Sequence, residues 1–87
     1  MERGVMNDFP TIKKGIYRHN KSGQQYEVLG VALHTESNES LVIYRPLYDN
    51  EYELFARTYA MFTELVELNG QKVPRFEPVD TPRTFVA

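Results

Sequence analysis

The chain contains no cysteine. That excludes disulfides, thiolate metal sites and cysteine nucleophiles together. Small secreted domains often rely on disulfide staples, so the absence fits a reducing compartment. A run of apolar residues long enough for a transmembrane helix is also lacking. Met1 to Thr11 has no apolar stretch of the signal-peptide kind. The expectation is a cytoplasmic protein with no membrane partner. Positive charge is not in excess: the formal net charge is −2. A dedicated duplex nucleic-acid binder usually carries a clear basic surplus. No Gly-rich phosphate loop, nucleophile elbow or dinucleotide fingerprint occurs, and no cofactor is expected.

What is present suits one small globular domain. The 87 residues are 41% hydrophobic and 25% charged, unlike a disordered chain. A chain this short has a marginal core, so each large apolar residue counts.

Short strand signals alternate with turn signals. Residues 15–19 carry β-branched and aromatic types. Asn20 to Gly23 reads as a turn. In residues 24–34, Tyr26 and Val28 point one way, and Leu29, Val31 and Leu33 the other. Strand side chains alternate with period two, so this switch predicts a bulge or bend at Gly30. A polar loop spans 35–40, and a strand spans 41–47 with Pro46 at its end or on an edge. After a turn at 48–52, residues 53–59 place Leu54, Ala56 and Thr58 on one face and Phe55, Arg57 and Tyr59 on the other. Ala60 to Phe62 suggests one 3₁₀ turn. Residues 63–68 and 71–76 flank Asn69-Gly70, the strongest short hairpin signal. A helix over 56–68 is the alternative, with Ala56, Ala60, Met61, Leu65 and Leu68 at roughly helical spacing. The hairpin and the missing N-cap before Ala56 favour strands. The expected organisation is an arm over 1–14, a domain over 15–76 and a tail over 77–87, with flexible termini. The expected fold is all-β: five to six short strands in a small barrel.

Several dispersed blocks follow in a distinctive order. They are Gly15-Ile16-Tyr17-Arg18-His19, Tyr26-Glu27-Val28-Leu29-Gly30-Val31-Ala32, His34-Thr35-Glu36-Ser37, Leu41-Val42-Ile43-Tyr44-Arg45, Leu47-Tyr48, Met61-Phe62, Gly70 and Val73-Pro74-Arg75-Phe76. Together they resemble the small bacterial proteins of domain-of-unknown-function family 1653. The resemblance covers residues 15–76. It implies an SH3-like barrel and no established activity. Phe55 stands where tryptophan is usual, and Thr58 where a proline is expected nearby.

The candidate chemistry is a recognition face. Tyr17 and His19 share one side of the first strand and Arg18 takes the other. Tyr44, Arg45, Arg57, Met61, Phe62 and Arg75 could line a shallow groove, because aromatics and arginines receive bases and extended peptides alike. Each has a plainer reading: tyrosines sealing the rim, Met61 and Phe62 in the core, Arg45 and Arg57 paired with glutamates. His34, Glu36 and Glu39 are too few and too poorly spaced for a metal site, so none is expected. His34 with Glu36 is the one acid–base pair an enzyme could use. The reading is a binding or accessory module for an anionic ligand, a peptide segment or single-stranded nucleic acid, through Tyr17, Arg18, His19, His34, Glu36, Tyr44, Arg45 and Arg57. A minor enzyme or nucleotide-handling protein built on the His34–Glu36 loop is the alternative.

Overall fold

The computed structural model describes residues 10–79. Seven strands and one helical turn follow in the order β1 (Gly15–His19), β2 (Gln25–Leu33), β3 (Ser40–Pro46), β4 (Phe55–Thr58), α1 (Tyr59–Phe62), β5 (Leu65–Leu68), β6 (Gln71–Pro74) and β7 (Phe76–Pro78). The domain is all-β, as its alternation requires. Seven strands stand where five to six were expected, because the run 71–76 is broken at Arg75. Five strands make one antiparallel sheet in the order β4-β3-β2-β1-β7, and β5 with β6 makes a two-stranded hairpin. Residues 1–9 of the expected arm and 80–87 of the expected tail lie outside the described residues. Among the described residues no helix is long and apolar enough to cross a membrane.

Register explains the core. Tyr17 pairs with Tyr26, and Val28 pairs with Tyr44. Directly opposed residues share a face, so Tyr17, Tyr26, Val28, Val42 and Tyr44 turn inward together. Phe62 and Phe76 complete the buried set. Each buried tyrosine keeps a partner for its hydroxyl. Tyr17 donates to the Lys13 carbonyl at 2.8 Å, Tyr26 shares a 2.9 Å bond with Tyr48, and the Tyr44 oxygen accepts from Arg57 Nε at 3.3 Å.

The switch at Gly30 is a bulge: the β2–β3 register shifts between Val28 and Gly30, leaving Leu29 as the extra residue. Val31 then pairs with buried Val42 and returns to the inner face. A single α-helical turn replaces the expected 3₁₀ turn. The Thr58 side chain caps it by accepting from the Met61 amide at 3.2 Å. The turn sends Phe62 into the core and leaves Met61 exposed.

A flat five-stranded sheet would hold its end strands roughly 19 Å apart, four intervals of about 4.8 Å. Yet Arg57 of β4 places its guanidinium carbon 5.6 Å from the ring centre of Phe76 in β7. The sheet therefore curves enough for inward side chains of its two end strands to meet along a seam.

Asn69 and Gly70 both have positive φ, 54° and 81°, as a type I′ turn requires. A Cβ added at Gly70 would meet nothing within 4 Å, so conformation alone restricts the site. Gly70→Val should lower stability by about 1–2 kcal/mol. An unchanged melting temperature would contradict this turn geometry.

Candidate functional site

The seam is built on Phe76. Phe76 and His19 are register partners, and their rings meet edge to face at 4.9 Å. Tyr26 and Tyr44 approach the same ring at 5.7 and 5.5 Å. Arg57 reaches it from the opposite edge. In β4, Phe55 pairs with Tyr44 and Arg57 pairs with Val42, so both point to the inner face. Arg57 is thus an inward-facing, half-buried cation on an edge strand. A guanidinium at 5.6 Å over an aromatic ring gains a cation–π attraction. The Tyr44 hydroxyl takes one of its donors.

The candidates separate by how their charges are satisfied. Arg45 and Glu27 are cross-strand partners, and two guanidinium nitrogens reach the same carboxylate oxygen at 2.9 and 2.6 Å. Arg18 lies opposite Glu77, with a 3.6 Å ion pair. Arg75 pairs with Glu64. Among the described residues Arg57 has no carboxylate partner. Tyr17 lies in the core. His34 is exposed, and its Nδ1 accepts the backbone N–H groups of Glu36 and Ser37, closing the β2–β3 turn. No group of three potential metal-ligating side chains gathers among the described residues. From the candidate set, the structure brings together His19, Tyr44 and Arg57. It adds Tyr26, Tyr48, Phe55 and Phe76, which the sequence pattern did not single out as site residues. A groove of about 580 Å³ runs beside them, lined by Leu41, Tyr44, Phe55, Ala56, Arg57, Thr58 and Met61.

Electrostatics in the seam are positive and partly desolvated. Burial lowers the His19 pKa below its ordinary 6.5, and Arg57, Arg75 and Lys21 lower it further. Burial raises the Tyr26 hydroxyl well above its usual range, and the bond to Tyr48 adds to the effect. The His19 Nδ1 accepts the Ser22 amide at 3.2 Å, so a neutral His19 presents Nε2–H as a donor.

Comparison with known proteins agrees with this architecture. Residues 15–78 match the model of a protein family of unknown function, DUF1653. The chain belongs to that family. A crystal structure of a DUF1653 protein from Bordetella bronchiseptica superposes with a TM-score of 0.73 at 34% identity, covering 90% of this chain and 99% of that one. Comparison with curated proteins finds no match. The DUF1653 match includes Glu77 and Pro78, which β7 uses to pair with Arg18 and Tyr17.

The His19 environment makes a pH prediction with a definite sign. Its folded pKa is depressed, so on acidification the unfolded chain takes up the proton first. The stability contributed is fully present above the ordinary pKa and is lost as pH falls below it. Melting temperature should drop less in His19→Gln than in the parent between about pH 7 and 5.5. Equal drops would assign the loss to other groups.

Proposed function

We propose that this DUF1653 domain is a recognition module that seats an anionic ligand in the seam between β4 and β7. One observation carries the reading: Arg57 is an inward-facing guanidinium without a carboxylate among the described residues, while Arg18, Arg45 and Arg75 each have one. An arginine is rarely buried without a partner. Arg57 keeps donors beyond the one given to Tyr44, and a guanidinium matches carboxylate or phosphate with paired hydrogen bonds. His19 adds a neutral donor, and Phe55 and Phe76 add apolar walls. A peptide segment suits the seam better than single-stranded nucleic acid. Nucleic acid needs a track of several free cations along its backbone, and here three arginines are already neutralised.

The test uses two simple anions, succinate and inorganic phosphate, followed by amide chemical shifts. Saturable shifts should centre on His19, Tyr44, Arg57 and Phe76 and weaken as salt rises. Arg57→Gln should abolish them with a retained melting temperature. Arg45→Gln should leave them in place, because Arg45 is committed to Glu27. Shifts that survive Arg57→Gln would overturn the proposal.

A further inference from the structure

We infer that the ligand of this seam is an extended peptide strand that adds to the free edge of β4, with an acidic side chain opposite Arg57. The inference rests on the anion seat proposed above and names its occupant.

Three observations point to it. First, β4 ends the sheet order, with β3 as its only strand neighbour among the described residues. In an antiparallel ladder, alternate backbone groups turn away from the neighbouring strand. Half of the β4 backbone groups therefore point away from β3, with no strand partner among the described residues. Second, the groove of about 580 Å³ contains all four β4 residues. Tyr44, Phe55 and Arg57 belong to its inner face, and Leu41, Ala56 and Thr58 to its outer face. A groove lined from both faces of one strand follows that strand's edge. Third, the other edges are blunted by their own residues. β7 carries Glu77 and Pro78, β6 carries Lys72 and Pro74, and β5 carries Glu67. Charged residues and proline are the usual means of discouraging edge pairing. β4, Phe-Ala-Arg-Thr, is short and has neither proline nor lysine; its one charge points inward, which guards the edge against apolar and cationic strands and leaves it open to an acidic one.

That inward charge acts as a filter. A strand adding to β4 would place an apolar side chain opposite Arg57 at a desolvation cost, and a cationic one against repulsion. A carboxylate directly opposite Arg57 shares its face, with the Cβ atoms about 5 Å apart. Side-chain period then fixes the rest of the motif. The residue two positions from the acid lies opposite Phe55 and should be apolar. The residues beside the acid face outward with Ala56 and Thr58, where small polar types fit. Backbone bonds supply affinity in this mode and the alternate side chains supply specificity.

The probe is a capped peptide of about seven residues, Thr-Val-Thr-Glu-Thr-Val-Thr. Its partner probe replaces Glu by Gln, and a third and a fourth carry N-methyl groups on the two alternate sets of amides. The Glu peptide should bind about tenfold more tightly than the Gln peptide. Arg57→Gln should erase that difference. Bound peptide should slow amide exchange at alternate residues of Phe55–Thr58, and one of the two N-methylation patterns should prevent binding. The Glu-to-Gln comparison uses the parent protein, so it stands whether or not Arg57→Gln folds. Equal affinity of the two peptides, or no binding at about millimolar concentration, would overturn the inference. So would binding without protection in β4, which would still leave the anion seat to be judged by succinate and phosphate. Concentration-dependent dimers with protected β4 amides and no peptide would make a second copy of the chain the occupant and overturn it as well.

Discussion

The stacked pair Phe62–Phe76 holds the domain together. The rings lie 4.0 Å apart and within 2° of parallel. Phe62 ends the helical turn after β4, and Phe76 begins β7. Between them the chain leaves, makes the β5–β6 hairpin and returns. The Arg75 amide donates to the Glu64 carbonyl at 3.0 Å, so departure and return are also joined by the backbone. The stack thus fixes where β7 begins, and β7 then pairs with β1 through His19–Phe76. The ladder with β1 and the Tyr26 and Tyr44 rings then hold the last strand beneath the imidazole and within reach of Arg57. A seam between two edges exists because one aromatic contact ties the ends of the sheet to a common core. Five of the seven buried residues are aromatic, and edge-to-face contacts spread from this stack through Tyr17, Tyr44 and Tyr26.

A core this aromatic changes what the interior tolerates. Its tyrosines bring hydroxyls that need partners, and the partners come from the rim: the Lys13 carbonyl, Tyr48 and Arg57. Pro10 to Lys14 is drawn in the same way. Ile12 packs on the core and the Tyr59 hydroxyl donates to the Thr11 carbonyl at 3.0 Å. Thr11, Ile12 and Lys13 of the expected arm thus each contact the domain. Hydroxyls at the ends of core side chains give the interior a polar border, and Arg57 sits on that border because the Tyr44 oxygen and the Phe76 ring offset its lost hydration.

Local structure is legible in this sequence, and pairing between distant segments is not. The bounds of β1 coincide with residues 15–19, and Gly30 and Asn69-Gly70 mark the bulge and the turn they suggested. Each depends on a few adjacent residues. β7 has only Phe-Glu-Pro and no alternation to reveal it, and its partner β1 lies nearly the whole chain away. The same limit governed the site. Alternation put Phe55 and Arg57 on one face of β4 but could not say that this face is inward. Pairing of Arg45 with Glu27 and of Arg18 with Glu77 depends on register across strands. Met61 and Phe62 shared one expectation, and the helical turn divided them. His34 looked chemical by type, and only the turn's backbone geometry shows its nitrogen engaged.

The arginines differ in how the sheet meets their charge. A surface whose arginines simply follow the strand alternation would pair each with the acid opposite it, as Glu27–Arg45 and Arg18–Glu77 do. Such exposed pairs contribute little stability and leave no charge to recognise anything. Arg57 breaks the pattern because its cross-strand partner is Val42, a fully buried apolar residue. Neighbouring strands therefore cannot supply its counter-charge through the ladder. On its other side β4 has no strand partner among the described residues. The same parity that buries Val28, Val42 and Tyr44 thus turns one cation inward, with no carboxylate against it among the described residues.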